Sequence, residues 1–396
     1  MVLIRVMSSL LKTKRYALFW ISSLLSNIGT WMQQIAQPWI MLSISHSSFM
    51  VGLDSFALNA PGWILTLWGG ALADRLDRKK IIILFQGIQF LAIILLVSLL
   101  ALGLLKPWMI ILISLSVGIT DSLSMPSFQS IVPSLVSKEE IPQAISLNSI
   151  QFNLSRTLGP AIAGIVLTQF GALACFGANA ISFIPFFLSV LWIYPSRGFK
   201  NNSDEATVQP SSVLAGVKDV FKKDGIRSQL ITIFTTTLFC SPLITFCPVI
   251  IQEAFHGQVK DFGNTSTAFG LGGLLGAIIA YFFASKFKLK TPKLLGIAMG
   301  VIVVGVSLNH SLPILFLLML FGGVFLTMAN TVANSNVQLN ASDQMRGRYA
   351  SLFQLSFRSG IALGGLITGI ATSYFGISAA LFINGALAIV IHLCSF

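Results

Sequence analysis

The sequence predicts an all-α polytopic membrane protein, with twelve transmembrane helices arranged as two pseudo-symmetric six-helix bundles. Three observations support this fold class: a very apolar composition, the number of long apolar windows, and the positions of the basic residues. The chain has 396 residues, of which 55% are hydrophobic and only 10% are charged, whereas soluble domains are about a quarter charged. Its apolar runs are continuous and of helix length, unlike the short alternating segments of a β-barrel.

Apolar windows long enough for a membrane-spanning helix recur in two groups of six. They lie near 17–43, 49–72, 81–104, 107–130, 142–169 and 171–194, and near 226–251, 262–285, 294–310, 313–340, 346–372 and 376–395. Between the groups, residues 194–212 form the longest polar stretch, and a short amphipathic segment follows it. We therefore predict an N-terminal six-helix bundle over 1–194, a cytoplasmic linker with a short amphipathic helix over 195–225, and a C-terminal six-helix bundle over 226–396.

The basic residues predict the orientation of these spans. The chain carries a formal net charge of +12 and contains 25 Lys and Arg. Of these, 21 fall in the N-terminal segment and in alternate loops or at their edges, as expected of cytoplasmic regions. We therefore expect a multi-pass integral membrane protein with both termini in the cytoplasm. The positive charge is assigned to the membrane surface and not to a nucleic-acid partner.

An internal repeat relates the two groups of spans. A displacement of 205 residues aligns 130–171 with 335–376, with 13 identities in 42 positions and no gap. Two pairs of glycines are among the matches, Gly159 with Gly364 and Gly164 with Gly369. The fifth span is therefore predicted to correspond to the eleventh. Parallel repeats of this kind are typical of alternating-access carriers, which bind substrate between their halves near the midplane.

The stretch GGALADRLDRKK at 69–80 gathers charge between two apolar windows and is predicted to be a cytoplasmic turn between the second and third spans. Orientation at the membrane surface accounts for Lys79 and Lys80. It does not account for the acids Asp74 and Asp77, which contribute little to orientation. The turn therefore has a second role that the bases alone do not explain.

With these features, the chain resembles the major facilitator superfamily over its whole length. The charged turn is similar to the signature that this superfamily carries between its second and third spans. The matching residues are Gly70, Asp74, Arg75, Arg78, Lys79 and Lys80. In members of the superfamily these charges bridge to neighbouring helix ends and latch the outward-open state, so the resemblance implies a cytoplasmic gate. Asp77 stands where the superfamily usually has Gly.

A second motif, SRTLGPAIAG at 155–164, resembles the fifth-span motif of drug and metabolite antiporters at Gly159, Pro160 and Gly164. Ser155 replaces the earlier Gly of that motif. Glycines let a neighbouring helix approach closely, and Pro160 bends its helix by freeing a carbonyl group. The motif either shapes the gate of an exporter or serves ordinary helix packing.

The segments NIGTWMQQIAQPW, IPQAISLNSIQFNLSRTLGPAIAG and DQMRGRYASL are similar to those of enterobactin-type siderophore exporters and macrolide-efflux-like carriers. The resemblance implies a secondary active transporter of a bacterial inner membrane, a proton-coupled exporter of a siderophore or other amphipathic small molecule or drug. An importer or a lipid carrier with the same fold, and a non-transporting sensor, are the alternatives. The expected partners are a small-molecule substrate, protons and membrane lipids, and we expect a monomer.

Enzyme chemistry is not expected from this sequence. It contains no phosphate-binding loop of the GxxxxGK[ST] kind, and its four His residues are scattered and form no metal-binding pattern. We therefore expect neither a cofactor nor a metal site. The energy for transport is expected to come from an ion gradient.

Ionisable side chains within the spans are candidates for substrate binding or ion coupling, because a charge at the bilayer centre costs at least ~2.5–3.5 kcal/mol. Asp121 in the fourth span and Arg156 in the fifth lie at similar depths, so we predict an ion pair between them, direct or bridged by substrate or water. This pair is either a static link or a switch in which Asp121 takes up a proton and releases Arg156. Arg358 in the eleventh span has no acid near it in sequence and is a candidate for an anionic substrate group. Asp54, near the outer end of the second span, is expected to be within reach of solvent.

Polar side chains at helical spacing predict a substrate cavity, and the resemblance to the superfamily places spans 1, 4, 7 and 10 around it. The candidates are Asn27, Trp31 and Gln34 in the first span, Asn148 and Gln151 in the fifth, and Asn330 and Asn334 in the tenth. Polar residues also bind membrane helices to one another. We expect about half of them to face the cavity.

Overall fold

A computed structural model describes residues 13–137, 140–193, 224–283, 288–340 and 346–394. The secondary structure of these residues is helical, with no β-strand among them. Nine helical stretches in the described part have the length and the apolar composition needed to cross a membrane. The all-α membrane fold is therefore confirmed, while the total of twelve spans stays a prediction. Most of the predicted linker over 195–225, with its amphipathic helix, lies outside the described residues.

We number the described helices of twelve or more residues α1 to α12. They are α1 (Lys14–Ser45), α2 (Ser48–Asn59), α3 (Gly62–Arg75), α4 (Arg78–Ala101), α5 (Pro107–Ile131), α6 (Ile141–Ile193), α7 (Asp224–Cys240), α8 (Val259–Phe282), α9 (Thr291–Leu308), α10 (Leu312–Leu339), α11 (Arg346–Phe375) and α12 (Ile377–Cys394). The second predicted span is divided into α2 and α3, and the fifth and sixth together form α6. Short helical pieces follow α5 and α7.

Local sequence signals fix the starts of several helices. Pro107 is the first residue of α5, where proline is well tolerated because its missing N–H is not needed in the first turn. Asp77 is the N-cap of α4, and its carboxylate accepts a hydrogen bond from the backbone N–H of Lys79 at 2.9 Å. A negative charge is also favourable at a helix N-terminus. Asp77 thus has a structural role at the position where the superfamily usually has Gly.

The last residue of each repeat segment makes the same kind of turn. Gly171 interrupts α6 with φ 78° and ψ 177°, and Gly376 separates α11 from α12 with φ 77°. The two glycines are 205 positions apart, which is the displacement of the repeat. Residues with a Cβ are strained at such angles. Both turns therefore depend on glycine.

Two seams join the helices of the first half, α1–α6, to those of the second, α7–α12. In one seam α6 packs on α8, and in the other α2 packs on α11. Glycines bring the backbones close in both: Gly164 lies against Gly263 of α8, and Gly369 lies against Gly52 of α2. Because Gly164 and Gly369 are equivalent in the repeat, the same glycine has the same place in each seam.

Each repeat segment also packs on the first helix of its own half. Gly159 of α6 contacts Trp31 of α1, and Gly364 of α11 contacts Leu238 of α7. The pairing of helices therefore follows the pattern that the sequence repeat predicts, with α1 related to α7 and α2 to α8. A Cβ at any of these glycines would meet backbone or side-chain atoms of the facing helix.

Replacing Gly171 by Ala is expected to lower the free energy of unfolding by about 1–3 kcal/mol, because L-residues rarely adopt its backbone angles. No heavy atom lies within 4 Å of a Cβ added at this position, so the loss would come from the backbone alone. Gly177→Ala, on the same helix and equally open, is the matched control and should raise stability by up to about 1 kcal/mol. Thermal unfolding of the purified variants in detergent measures both. Equal shifts for the two would contradict the role assigned to Gly171.

Candidate functional site

Among the described residues, the apolar contacts between the halves are concentrated at one end of the molecule. A single core cluster combines residues of both halves at the end that carries Gly171 and Gly376, which the charge distribution predicts to be the outer end. Towards the other end each half has its own cluster, one containing Tyr16 and the other containing Tyr349. The halves are therefore joined at the predicted outer end and have separate cores at the predicted inner end.

Two further contacts close the outer end. The ring of Trp39 on α1 stacks on that of Phe262 on α8, with centroids 5.2 Å apart and an interplanar angle of 15°. The hydroxyl of Ser48, at the start of α2, donates to Oε1 of Glu253, in the segment after α7, at 3.0 Å. None of these four residues was predicted from the sequence to join the halves. Aromatic residues are common in all the spans, so nothing marks this pair in the sequence.

An ion pair connects the two halves within the membrane-spanning helices. Nη2 of Arg358 on α11 donates to Oδ2 of Asp121 on α5 at 2.6 Å. Asp121 lies 14 residues into α5, or ~21 Å along the helix axis. The side chains of Arg358 and Asp121 are 23% and 35% exposed. The pair is thus held between the halves without being fully enclosed.

The predicted ion pair between Asp121 and Arg156 is wrong. Although α5 and α6 are consecutive, α5 packs on α2, α3 and α4, whereas α6 packs on α1, α4 and α8. The guanidinium carbon of Arg156 lies 5.6 Å from the ring centroid of Phe357 on α11, which is a cation–π contact across the halves. Arg358 has no acid near it in sequence, and its partner Asp121 lies 237 positions away.

Asp54 is buried, with 5% of its surface exposed, and the expectation that solvent can reach it is wrong. Its position near the start of α2 suggested exposure, but α1 and α5 cover this face. Its carboxylate accepts hydrogen bonds from the hydroxyl of Ser114 on α5 at 2.5 Å and from the amide of Gln37 on α1 at 2.8 and 3.0 Å. Asp54 therefore belongs to a polar network inside the first half.

The charged turn at 69–80 is described only in part. Lys79 donates from Nζ to the carbonyl oxygen of Leu191, near the end of α6, at 3.2 Å. This is a contact of the kind that the resemblance implies, from the turn to a neighbouring helix end. The latch itself stays a prediction, because most of its other members fall outside what the structure describes. These are Gly70 and the side chains of Asp74, Arg75 and Arg78.

The fifth-span motif lies at the interface between the halves. Gly159 rests on Trp31 and Gly164 on Gly263, as described for the packing of α6, and Pro160 lies inside that helix. The motif therefore serves close helix packing. Its role in shaping a gate stays a prediction.

The polar cavity candidates fall into two groups. Gln151 and Asn330 are buried. Nε2 of Gln151 donates to Oγ of Ser155 at 3.4 Å, and that hydroxyl also contacts the carbonyl oxygen of Leu24 on α1 at 3.3 Å, so these side chains join α6 to α1. The cavity-facing role stays a prediction for the half-buried group. That group is Asn27, Trp31, Gln34, Asn148 and Asn334.

Comparison with known proteins decides the family. A family model described as "Transmembrane secretion effector" matches residues 7–396. The chain belongs to this family of the major facilitator superfamily. It is similar to the Staphyloferrin A transporter of Staphylococcus aureus, with 29% identity over 372 residues that cover 91% of this chain and 90% of that protein. It is also similar to the enterobactin exporter EntS of Shigella boydii, with 23% identity over 374 residues that cover 91% and 86% of the two chains.

A solved structure of the nucleoside transporter NupG, determined for a mutant of that protein, shares the fold of this chain. Its TM-score is 0.74, and the match covers 96% of this chain and 98% of that one. The sequence identity is 13%, so this likeness concerns the fold alone. The family and these relatives are membrane transporters, and they are not enzymes.

In this chain, removing either charge of the Asp121–Arg358 pair is expected to cost more than half of what removing both costs. Asp121→Asn and Arg358→Gln each leave one charge without its partner, and each should lower the free energy of unfolding by about 1–3 kcal/mol, between the values for exposed and buried pairs. The double variant should lose about 1 kcal/mol less than the sum. Thermal unfolding measures all three. Lys106→Gln, which removes an exposed charge at the start of α5, is the control, and additive losses would show that the pair contributes nothing.

Proposed function

We propose that this protein is a proton-coupled exporter of a siderophore or another amphipathic small molecule, and that it works by alternating access between an N-terminal bundle over 1–194 and a C-terminal bundle over 226–396. The observation that carries the proposal is the ion pair between Asp121 and Arg358. It joins the two halves within the membrane-spanning helices and stays partly exposed. An alternating-access carrier binds its substrate at this kind of position, between its halves.

The relatives support a siderophore as the substrate class, since one is named a Staphyloferrin A transporter and another an enterobactin exporter. Iron-chelating molecules present anionic oxygen donors such as carboxylates or catecholates. The planar guanidinium group of an arginine binds such paired oxygens through two parallel hydrogen bonds. Arg358 is therefore the residue we assign to the anionic group of the substrate.

The exposure of the pair favours a switch over a static link. Removing one partner of a fully buried ion pair costs about 3–5 kcal/mol, so a substrate could displace such a partner only with difficulty. An exposed pair contributes only about 0–1 kcal/mol. With exposed fractions of 23% and 35%, the Arg358–Asp121 pair lies between these limits. An anionic group of the substrate can then replace Asp121 on Arg358 and break this link between the halves.

The two glycine seams allow the halves to move relative to each other. Gly164 and Gly52 bring the backbones of facing helices together without interlocking side chains, so separation of the halves at these points would require no side chains to disengage. The cluster that joins the halves at the predicted outer end would open in the outward-facing state. With that end closed, a substrate would reach Arg358 from the cytoplasmic side.

The proposal predicts that export in proteoliposomes follows an imposed pH gradient and stops when that gradient is dissipated. Iron-free staphyloferrin A and enterobactin are the probes, with erythromycin as a macrolide comparator. Arg358→Gln should raise the KM for the siderophore probe by roughly 10- to 100-fold, the loss expected for hydrogen bonds to a charged group.

Arg156→Gln is the matched control, because Arg156 is also an arginine within the spans but lies on an aromatic ring. It should change the KM much less than Arg358→Gln. Equal increases in KM for the two variants would contradict the assignment of Arg358 to the substrate site. Transport that ignores the pH gradient would exclude proton coupling, and net movement of the probe into the cytoplasmic compartment would favour an importer.

A further inference from the structure

A carboxylate with no cationic partner among the described residues lies inside the first half, away from the Asp121–Arg358 pair. Asp54 has only 5% of its surface exposed. The hydrogen-bond donors that the structure gives it are neutral, the hydroxyl of Ser114 and the amide of Gln37. A buried ionised carboxylate without a charged partner is costly, and binding a proton removes that charge. The site is therefore suited to holding a proton.

A chain of amides leads from this carboxylate across the bundle. Nδ2 of Asn179 on α6 donates to Oε1 of Gln33 at 2.7 Å, and Nε2 of Gln33 donates to Oε1 of Gln37 at 3.1 Å. Nε2 of Gln37 then donates to Asp54, so each donor in the chain points towards the carboxylate. When Asp54 binds a proton it becomes a donor itself. If the new donor oxygen faces Gln37, the amide of Gln37 turns its oxygen towards Asp54, and that reversal would carry proton occupancy along the chain from α2 to α6.

Water has room to reach this chain. A cavity of about 40 Å³ lies beside it, lined among others by Thr30, Gln34 and Gln89. One water needs at least ~10–15 Å³ of this kind of volume, so two or three waters fit. Gln89 on α4 is 7% exposed, and its Nε2 has no hydrogen-bond partner among the described residues. This buried donor is placed to bind such a water.

The opposite face of the same α2 segment closes the seam between the halves. Gly52, two residues before Asp54, lies against the backbone of Gly365 on α11, and Ser55 packs on the same glycine. When the halves separate at this end, this face of α2 becomes uncovered. Opening of the seam frees α2 to shift against α1 and α5, and access to Asp54 from the predicted outer side would follow from that shift, whereas the cavity lies inside the bundle.

We propose that Asp54 is the residue that binds the coupling proton, at a site separate from the substrate pair Asp121–Arg358. The proposal rests on the proposed function, a proton-coupled exporter. A proton enters from the outer side when the seam is open and adds to one carboxylate oxygen of Asp54. The resulting carboxylic acid loses the same proton through the water cavity when the seam is closed, and returns to the carboxylate.

The chemistry of the substrate pair requires a separate proton site. When an anionic group displaces Asp121 from Arg358, the freed carboxylate lies beside a second negative charge, and protonation of Asp121 relieves that repulsion. Substrate and proton would then bind together at this pair. In antiport, by contrast, the proton must bind as the substrate leaves. A coupled exporter of an anionic molecule therefore needs its proton at another group.

Few charged groups face Asp54 from the elements packed against α2. On α5 the charged side chain is Asp121, seven residues from Ser114 and thus ~10 Å further along that helix. On α11 the charged side chain is Arg358, apart from the arginines at the start of that helix. Helix α1 carries charged side chains only at its start. Glu253 bonds Ser48 at the outer end of α2. Variants of these groups therefore distinguish their effects on the pH response of transport from the effect of replacing Asp54.

The test is infrared difference spectroscopy of the purified full chain in lipid, titrated with protons over the pH range in which transport is measured and without any substrate. The wild type should show a C=O stretching band of a protonated carboxyl group that shifts in D2O. The band should be lost in Asp54→Asn and kept in Asp121→Asn. If Asp54→Asn fails to fold, Ser114→Ala keeps the carboxyl group but removes its hydroxyl partner, and should move the band. A band that is unchanged in Asp54→Asn and in Ser114→Ala would overturn the proposal.

The transport arm uses the same proteoliposomes and iron-free siderophore probes. Asp54→Asn should retain exchange of the probe between equal concentrations but lose acceleration by the pH gradient. Asp261→Asn, which removes the capping acid of α8, is the matched control and should behave as wild type. If a pH gradient still accelerates transport by the Asp54→Asn variant, the proposal is contradicted, while the exporter function remains supported. A wild type that ignores the gradient would refute the proposed function, while loss of the infrared band in Asp54→Asn would still support Asp54 as a proton site.

Discussion

The ion pair between Asp121 and Arg358 is the contact on which the arrangement of the two halves depends. Neither charge is stable inside a membrane-spanning helix without a partner. Because α5 belongs to the first half and α11 to the second, each charge is compensated only when the halves face each other at this depth. The glycine seams join the halves through the helix pairs α6–α8 and α2–α11. The ion pair, with its distance of 2.6 Å, adds a link between α5 and α11.

The duplication preserved the contacts that close the molecule and changed the charges that act within it. Gly164 and Gly369 occupy equivalent places in the two seams, and Gly171 and Gly376 make equivalent turns. In the same aligned segments Arg358 corresponds to an asparagine and Arg156 to an isoleucine. Symmetric closure needs the same small residues twice, since both seams must approach and part together. In the proposed export cycle, substrate and proton chemistry would need each charge once.

The fold was predictable from the sequence because apolar windows and basic loops report directly on the membrane. The repeat also indicated which glycines matter, since Gly159 and Gly164 both lie at close contacts. The ionisable residues within the spans were found as well, but their partners were not. Depth along a helix was estimated from residue counts, whereas pairing depends on which faces meet. Consecutive α5 and α6 have different neighbours, and Asp121 found its partner 237 positions away.

Asp54 shows the same limit at a single residue, because closeness to the end of α2 suggested solvent contact while α1 and α5 cover its side chain. The sequence did hold one usable signal. Gln33, Gln37 and Ser114 are polar residues in otherwise apolar spans, and a buried carboxylate needs donors from its neighbours. Coupling between two sites requires an element whose arrangement both of them bias. In this molecule α2 meets that requirement, because Gly52 rests on the second half while Asp54, two residues later, anchors the polar chain of the first.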